Sequence, residues 1–83
     1  MNGKNGTYIT AKDISKKFNV AYPTINHYTN LGFFSIVKRA GNKRLFDGRT
    51  VKRRLDMIGR LVDEGYPLSL IRKKIVAREG GLA

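Results

Sequence analysis

Apolar residues fall in short groups whose spacing changes along the chain, and each spacing predicts an element. Ile14 and Phe18 are four apart and share one helix face, while Lys12, Lys16 and Lys17 fall on others. This predicts a short helix over about 11–18. Thr10 stands where a hydroxyl caps the first turn. Asp13, three residues on, occupies the capping-box position, and its charge suits a helix N-terminus. Asn19-Val20 turns the chain, because Asn tolerates the left-handed conformation that ends a helix. A second helix is expected over about 22–31, with Pro23 in its first turn, Ile25 and Tyr28 facing inward, and Gly32 as the stop. Two short helices joined by a tight turn form a helix-turn-helix.

After Gly32 the pattern changes to a strand, about Phe33–Lys38. If side chains alternate there, Phe33 and Phe34 point to opposite faces and one is exposed. Arg39-Ala40-Gly41-Asn42 reads as a hairpin turn and Lys43–Phe46 as the return strand. Asp47 then caps a longer helix to about Glu64, with Val51, Leu55, Ile58 and Val62 as its apolar stripe. Gly65 ends that helix. A last helix begins near Pro67-Leu68 and turns Leu68, Ile71 and Ile75 inward. Residues 1–7 read as a disordered lead and 78–83 as a flexible tail, which leaves one domain over 8–77. The expected fold is mainly α with a small β-hairpin: a winged helix-turn-helix of four short helices plus a two-stranded wing.

Charge makes this small domain unusual. Among 83 residues, 17 Lys and Arg stand against 6 Asp and Glu, a formal net charge of +11. Residues 1–37 carry +3, residues 38–54 carry +7, and residues 55–83 carry +1. Charge spread for solubility would be more even. The concentration on the hairpin and the start of the third helix points to phosphates, the other reading being a solvated basic face. No cysteine is present, which removes disulfides and thiolate metal sites. The apolar run Gly32–Val37 is far short of the ~20 residues that span a bilayer. A cytoplasmic, nucleoid-associated protein with no membrane partner is expected.

Three segments carry a family resemblance. The first comprises Tyr8-Ile9-Thr10, Phe18-Asn19-Val20, Thr24-Ile25-Asn26-His27-Tyr28 and Asn30-Leu31-Gly32-Phe33, and it resembles the opening of a MerR-type DNA-binding domain. Gly41-Asn42-Lys43-Arg44-Leu45-Phe46 is similar to that family's wing signature. Leu61–Ile71 is similar to the stretch joining its third and fourth helices. The resemblance covers about 8–76 and implies a DNA-binding transcriptional regulator. Asn26, His27 and Thr29 stand where the family usually has Arg, Tyr and Glu. An Arg contact therefore does not carry over to Asn26, whereas Asn pairs bidentately with adenine. The long helix that pairs two MerR subunits and the effector domain have no counterpart here. The chain is either an excised DNA-binding domain or a small stand-alone protein, as excisionases are.

The candidate DNA-binding residues follow from this layout. Tyr22, Thr24, Asn26, His27 and Asn30 lie on the outer face or N-terminal end of the second helix, where a recognition helix meets bases and phosphates. Thr10 is a cap and a candidate phosphate contact. Lys38, Arg39, Asn42, Lys43 and Arg44 form the wing, which places basic side chains along the minor groove and backbone. Arg44 has a second reading, holding the wing against the recognition helix. Arg49 and Arg53 open the third helix beside Lys52 and Arg54. Local pairing of Arg53 and Arg54 with Asp56 or Asp47 is the competing reading.

No catalytic or metal-binding residue is assigned. His27 is the only histidine, and the six carboxylates are scattered without a nucleophile–base pair. No cofactor and no small-molecule effector site are expected. The expected partner is double-stranded DNA, with self-association on DNA open. The function expected is sequence-specific regulation. The alternative is an excisionase-like, nucleoid or segregation factor that shapes DNA. RNA binding lacks the stacking aromatics of RNA modules.

Overall fold

The computed structural model describes residues 7–79. Its elements run β1 (Tyr8–Thr10), α1 (Ala11–Phe18), α2 (Tyr22–Asn30), β2 (Ile36–Ala40), β3 (Lys43–Asp47), α3 (Gly48–Asp63) and α4 (Leu68–Glu79). The four helices stand where the sequence places them, and a hairpin follows α2 with shifted bounds. The sheet has one strand more than expected. β3 is central, antiparallel to β2 on one side and to β1 on the other. The two-stranded wing is thus continued by Tyr8–Thr10, in the register Ile9 to Phe46. A three-residue strand has no periodicity of its own. It exists because Ile9 is buried beside Phe46 and because the Gly48 N–H donates to the Thr7 carbonyl at 3.0 Å. The expected lead over 1–7 otherwise lies outside the described residues.

Local chemistry sets the helix ends. The Thr10 hydroxyl accepts from the Asp13 N–H at 3.1 Å, and the Asp13 carboxylate accepts from the Thr10 N–H at 3.0 Å. α1 stops at Asn19, which sits at φ 57°. α2 ends on Gly32 at φ 88°. The Gly32 N–H donates to the Thr29 carbonyl and the Phe33 N–H to the Tyr28 carbonyl, which is the Schellman pattern. α3 ends the same way on Gly65, with the Tyr66 N–H reaching the Leu61 carbonyl. In the first motif Phe33 folds back against Tyr28, with ring centroids 5.5 Å apart, whereas the Tyr66 ring lies under Lys74 of α4.

That motif corrects the strand reading at Phe33-Phe34. The chain is still turning there, and β2 begins at Ile36. Alternation therefore does not apply, and both rings are buried. They flank Tyr28, each edge-on to it. Arg39 and Ala40, expected in the turn, belong to β2, and Gly41-Asn42 alone close the hairpin. Gly41 has φ 61°, as the first position of a II′ turn requires. A register shift between Ile36 and Lys38 leaves Val37 exposed.

The core draws on nearly every element: Ile9, Ile14, Ile25, Phe46, Ile58 and Ile71 are all buried. The face of α3 differs from the expected stripe. Val51 and Ile58 are buried, but Val62 is 49% exposed, and Arg54 and Met57 are buried instead. Arg54 goes inward because its guanidinium is matched there. It donates to the Phe33 carbonyl at 3.0 Å and to Glu79 Oε1 at 2.8 Å. Glu79 also accepts from Arg53 at 3.1 Å. The local partners expected for Arg53 and Arg54, Asp56 and Asp47, are otherwise engaged. Asp56 takes Lys52, and Asp47 caps α3 at the Arg49 N–H. α4 runs through Glu79, past the expected start of the tail at 78, and 80–83 lie outside the described residues.

Candidate nucleic-acid interface

α2 presents Tyr22, Asn26 and Asn30 at intervals of four, so they form one exposed row. His27 is exposed beside that row, its ring 6.2 Å from Tyr28. Thr24 is half-buried. The row stays on the surface because Ile25, fully buried, and Tyr28 take the opposite side of the helix. The α2 N-terminus has no side-chain cap, and Pro23 removes one of its unpaired donors.

The wing reaches this row through one contact. Arg44 Nη2 donates to Asn26 Oδ1 at 2.9 Å. The Arg44 guanidinium also lies over the Phe46 ring, 5.7 Å from its centroid. Phe46 is fully buried on the central strand, so the Arg44 guanidinium is held by the ring beneath it as well as by Asn26. Arg44 therefore holds the wing against α2, the second of the two readings given above.

Thr10, Lys12, Tyr22, Asn42, Lys43 and Arg44 line one shallow groove between the start of α1, the start of α2 and the wing turn. Three wing residues thus come together with residues of both helices of the helix-turn-helix. Lys12 was not among the candidates, because helix periodicity only removes it from the core. Its place two residues after the Thr10 cap is the signal that sets it facing the groove. Within the groove the Thr10 oxygen is already committed to Asp13. Asp13 in turn is held ionised, its carboxyl lowered by the Thr10 N–H, then by the Thr10 hydroxyl. This carboxylate occupies the anion-binding position of the α1 N-terminus that a phosphate would otherwise take.

Lys38 and Arg39 are exposed on β2, with Arg39 directly opposite Arg44 in the ladder. They extend the basic surface along the outer strand. Arg49 and Arg53 form a separate cluster with Lys52 and Asp56 on α3. Two of its cations are paired: Lys52 with Asp56 and Arg53 with Glu79, both at 3.1 Å. Arg49 is exposed and belongs to no ion pair among the described residues.

Among the described residues no three His, Cys, Asp or Glu side chains gather where they could hold a metal ion. None of the described helices is long and apolar enough to cross a membrane.

Comparison with curated proteins gives no match, and neither does comparison with solved structures. A family model does match, that of the MerR HTH family regulatory proteins, over residues 9–77. The match runs from the buried Ile9 of β1 to the last turn of α4 and takes in both helices of the helix-turn-helix and the whole wing. On that extent the chain belongs to the MerR HTH family, whose members are DNA-binding regulators of transcription.

Proposed function

We propose that this domain binds double-stranded DNA with α2 in the major groove and the wing along the adjacent backbone and minor groove. The observation that supports this most directly is the Arg44–Asn26 hydrogen bond, which joins the basic wing to the exposed row of α2. A helix is about the width the major groove admits, and a basic hairpin fixed at its side reaches the neighbouring phosphates. On this reading Tyr22, Thr24, Asn26, His27 and Asn30 face bases and phosphates. Lys38, Arg39, Asn42 and Lys43 meet the backbone or minor groove. Arg49 adds a phosphate contact from α3, and Arg53 contributes less because Glu79 already holds it. Thr10 acts chiefly as a cap, with a phosphate contact only where DNA displaces the Asp13 carboxylate. The biological setting is cytoplasmic, on the nucleoid, as a sequence-specific regulator without a cofactor.

An amide NMR titration with a short duplex at low salt tests the docking mode. The largest shifts should fall on residues 22–30 and 39–44. Shifts confined to residues 72–78 would remove α2 and the wing from the contact surface.

A further inference from the structure

The Arg44–Asn26 contact does more than brace the wing, because it fixes which way the Asn26 amide faces. Arginine carries five N–H donors and no acceptor. The group Asn26 turns toward Arg44 must therefore be its carbonyl oxygen, as the 2.9 Å Nη2–Oδ1 distance shows. The amide nitrogen, with two hydrogens, is left for an outside partner. Asn26 is exposed, and its neighbours in the row, Tyr22 and Asn30, lie one turn away on either side, so those hydrogens face solvent. Arg44 is not free to leave. It stands on the central strand, opposite Arg39 of β2, and its guanidinium packs over the buried Phe46 ring.

Free asparagine suits adenine, because one amide both accepts from N6–H and donates to N7. Here one of the two lone pairs of that acceptor already takes Arg44. A second N–H brought to Oδ1 would have to lie against a guanidinium, donor beside donor and next to its positive charge. What the pair offers outward is donors only: the two hydrogens of Asn26 Nδ2 and the N–H groups of Arg44 not used on Oδ1. The guanine edge presents two acceptors in the major groove, O6 and N7, and no donor beside them.

Taking as given that α2 faces the major groove, we infer that Arg44 is a specificity-determining residue. By occupying Asn26 Oδ1 it converts an adenine reader into a composite donor pair that selects guanine.

The experiment is selection from randomised duplexes, followed by affinity measurements on single-base variants of the best site. The wild-type protein should prefer guanine over adenine at one position by about 5- to 150-fold, the range of a good bidentate contact. Arg44→Met keeps an unbranched apolar stem but removes the guanidinium from Phe46 and from Oδ1, so that position should move to adenine. Asn26→Asp keeps the acceptor for Arg44 but removes both amide donors, so the guanine preference should fall with the wing still anchored. Circular dichroism melts confirm that each variant is folded. Guanine preference retained in Arg44→Met, but lost in Asn26→Ala, would overturn the role of Arg44 and leave the helix reading intact. Asn26→Ala without effect at any base position would overturn both.

Discussion

Glu79, in the last turn of α4, accepts a 2.8 Å hydrogen bond from Arg54, in the middle of α3. The same guanidinium reaches the Phe33 carbonyl, in the turn that follows α2. One side chain thus connects the third helix, the fourth helix and the exit of the α2 helix. Arg54→Ala should lower stability by about 2–3 kcal/mol. Full burial of a broken pair costs about 3–5 kcal/mol, but Glu79 is partly exposed and keeps Arg53. Urea unfolding measures this, and an unchanged midpoint would show that Arg54 holds nothing together.

Acid should act on the same latch. Hydrogen bonds from Arg53 and then Arg54 hold the Glu79 carboxyl below its ordinary value of 4.5. A carboxyl depressed in the folded state contributes stability that is fully present above that ordinary value. The contribution is lost as pH falls through the folded-state value. Wild-type stability should therefore be flat from pH 7 to about 5.5 and fall below about 4.5. Glu79→Gln should fall less steeply over that lower window, with Asp13 supplying the remaining slope of the same sign. Thermal melts of both proteins at several pH values check this, and parallel curves would count against it.

The capping box makes Thr10 a residue of stability first. Thr10→Ala should cost about 1 kcal/mol, the usual worth of an N-cap. Thr10→Ser should restore nearly all of it, since the accepting oxygen returns. If DNA affinity of Thr10→Ala falls no further than its folded fraction, the hydroxyl makes no phosphate contact.

Salt dependence separates the free cations from the paired ones. With roughly six to ten phosphate contacts, affinity should fall by about 10³–10⁵ between 50 and 200 mM salt. Lys43→Ala should reduce the slope of log affinity against log salt by about 1, and by the same amount on every sequence. Arg53→Ala should reduce it less, because Arg53 is 3.1 Å from Glu79. Equal reductions would mean that DNA takes Arg53 away from its carboxylate.

The helices could be read from the sequence because their signals are local. Thr10 with Asp13, Asp47, Gly32 and Gly65 each act within four residues of themselves. What was hidden depends on partners distant in sequence. β1 is three residues long and stands only because Phe46 and Asp47 lie across from it. Arg54 looks like a surface residue until Glu79, 25 positions away, is brought to it. With Arg54 and Met57 turned inward, Val62 takes the exposed position that the apolar spacing denied it. The candidate interface divides in the same way. The polar row of α2 was readable as a helix face, and so was the basic run of the wing. The groove that joins them, and the bond from Arg44 to Asn26, required the fold.

Asp47 is the last residue of β3 and the residue that caps α3. No linker separates wing from helix, and the Gly48 N–H is itself bonded to the Thr7 carbonyl. The wing is therefore a lever fused to its axle. A twist of α3 about its own length has no linker in which to be absorbed before it reaches β3. Midway along that axle stands Arg54, bonded to Glu79 of α4. The α4 latch and the wing are thus joined through one continuous helix, with Asp47 shared at its wing end.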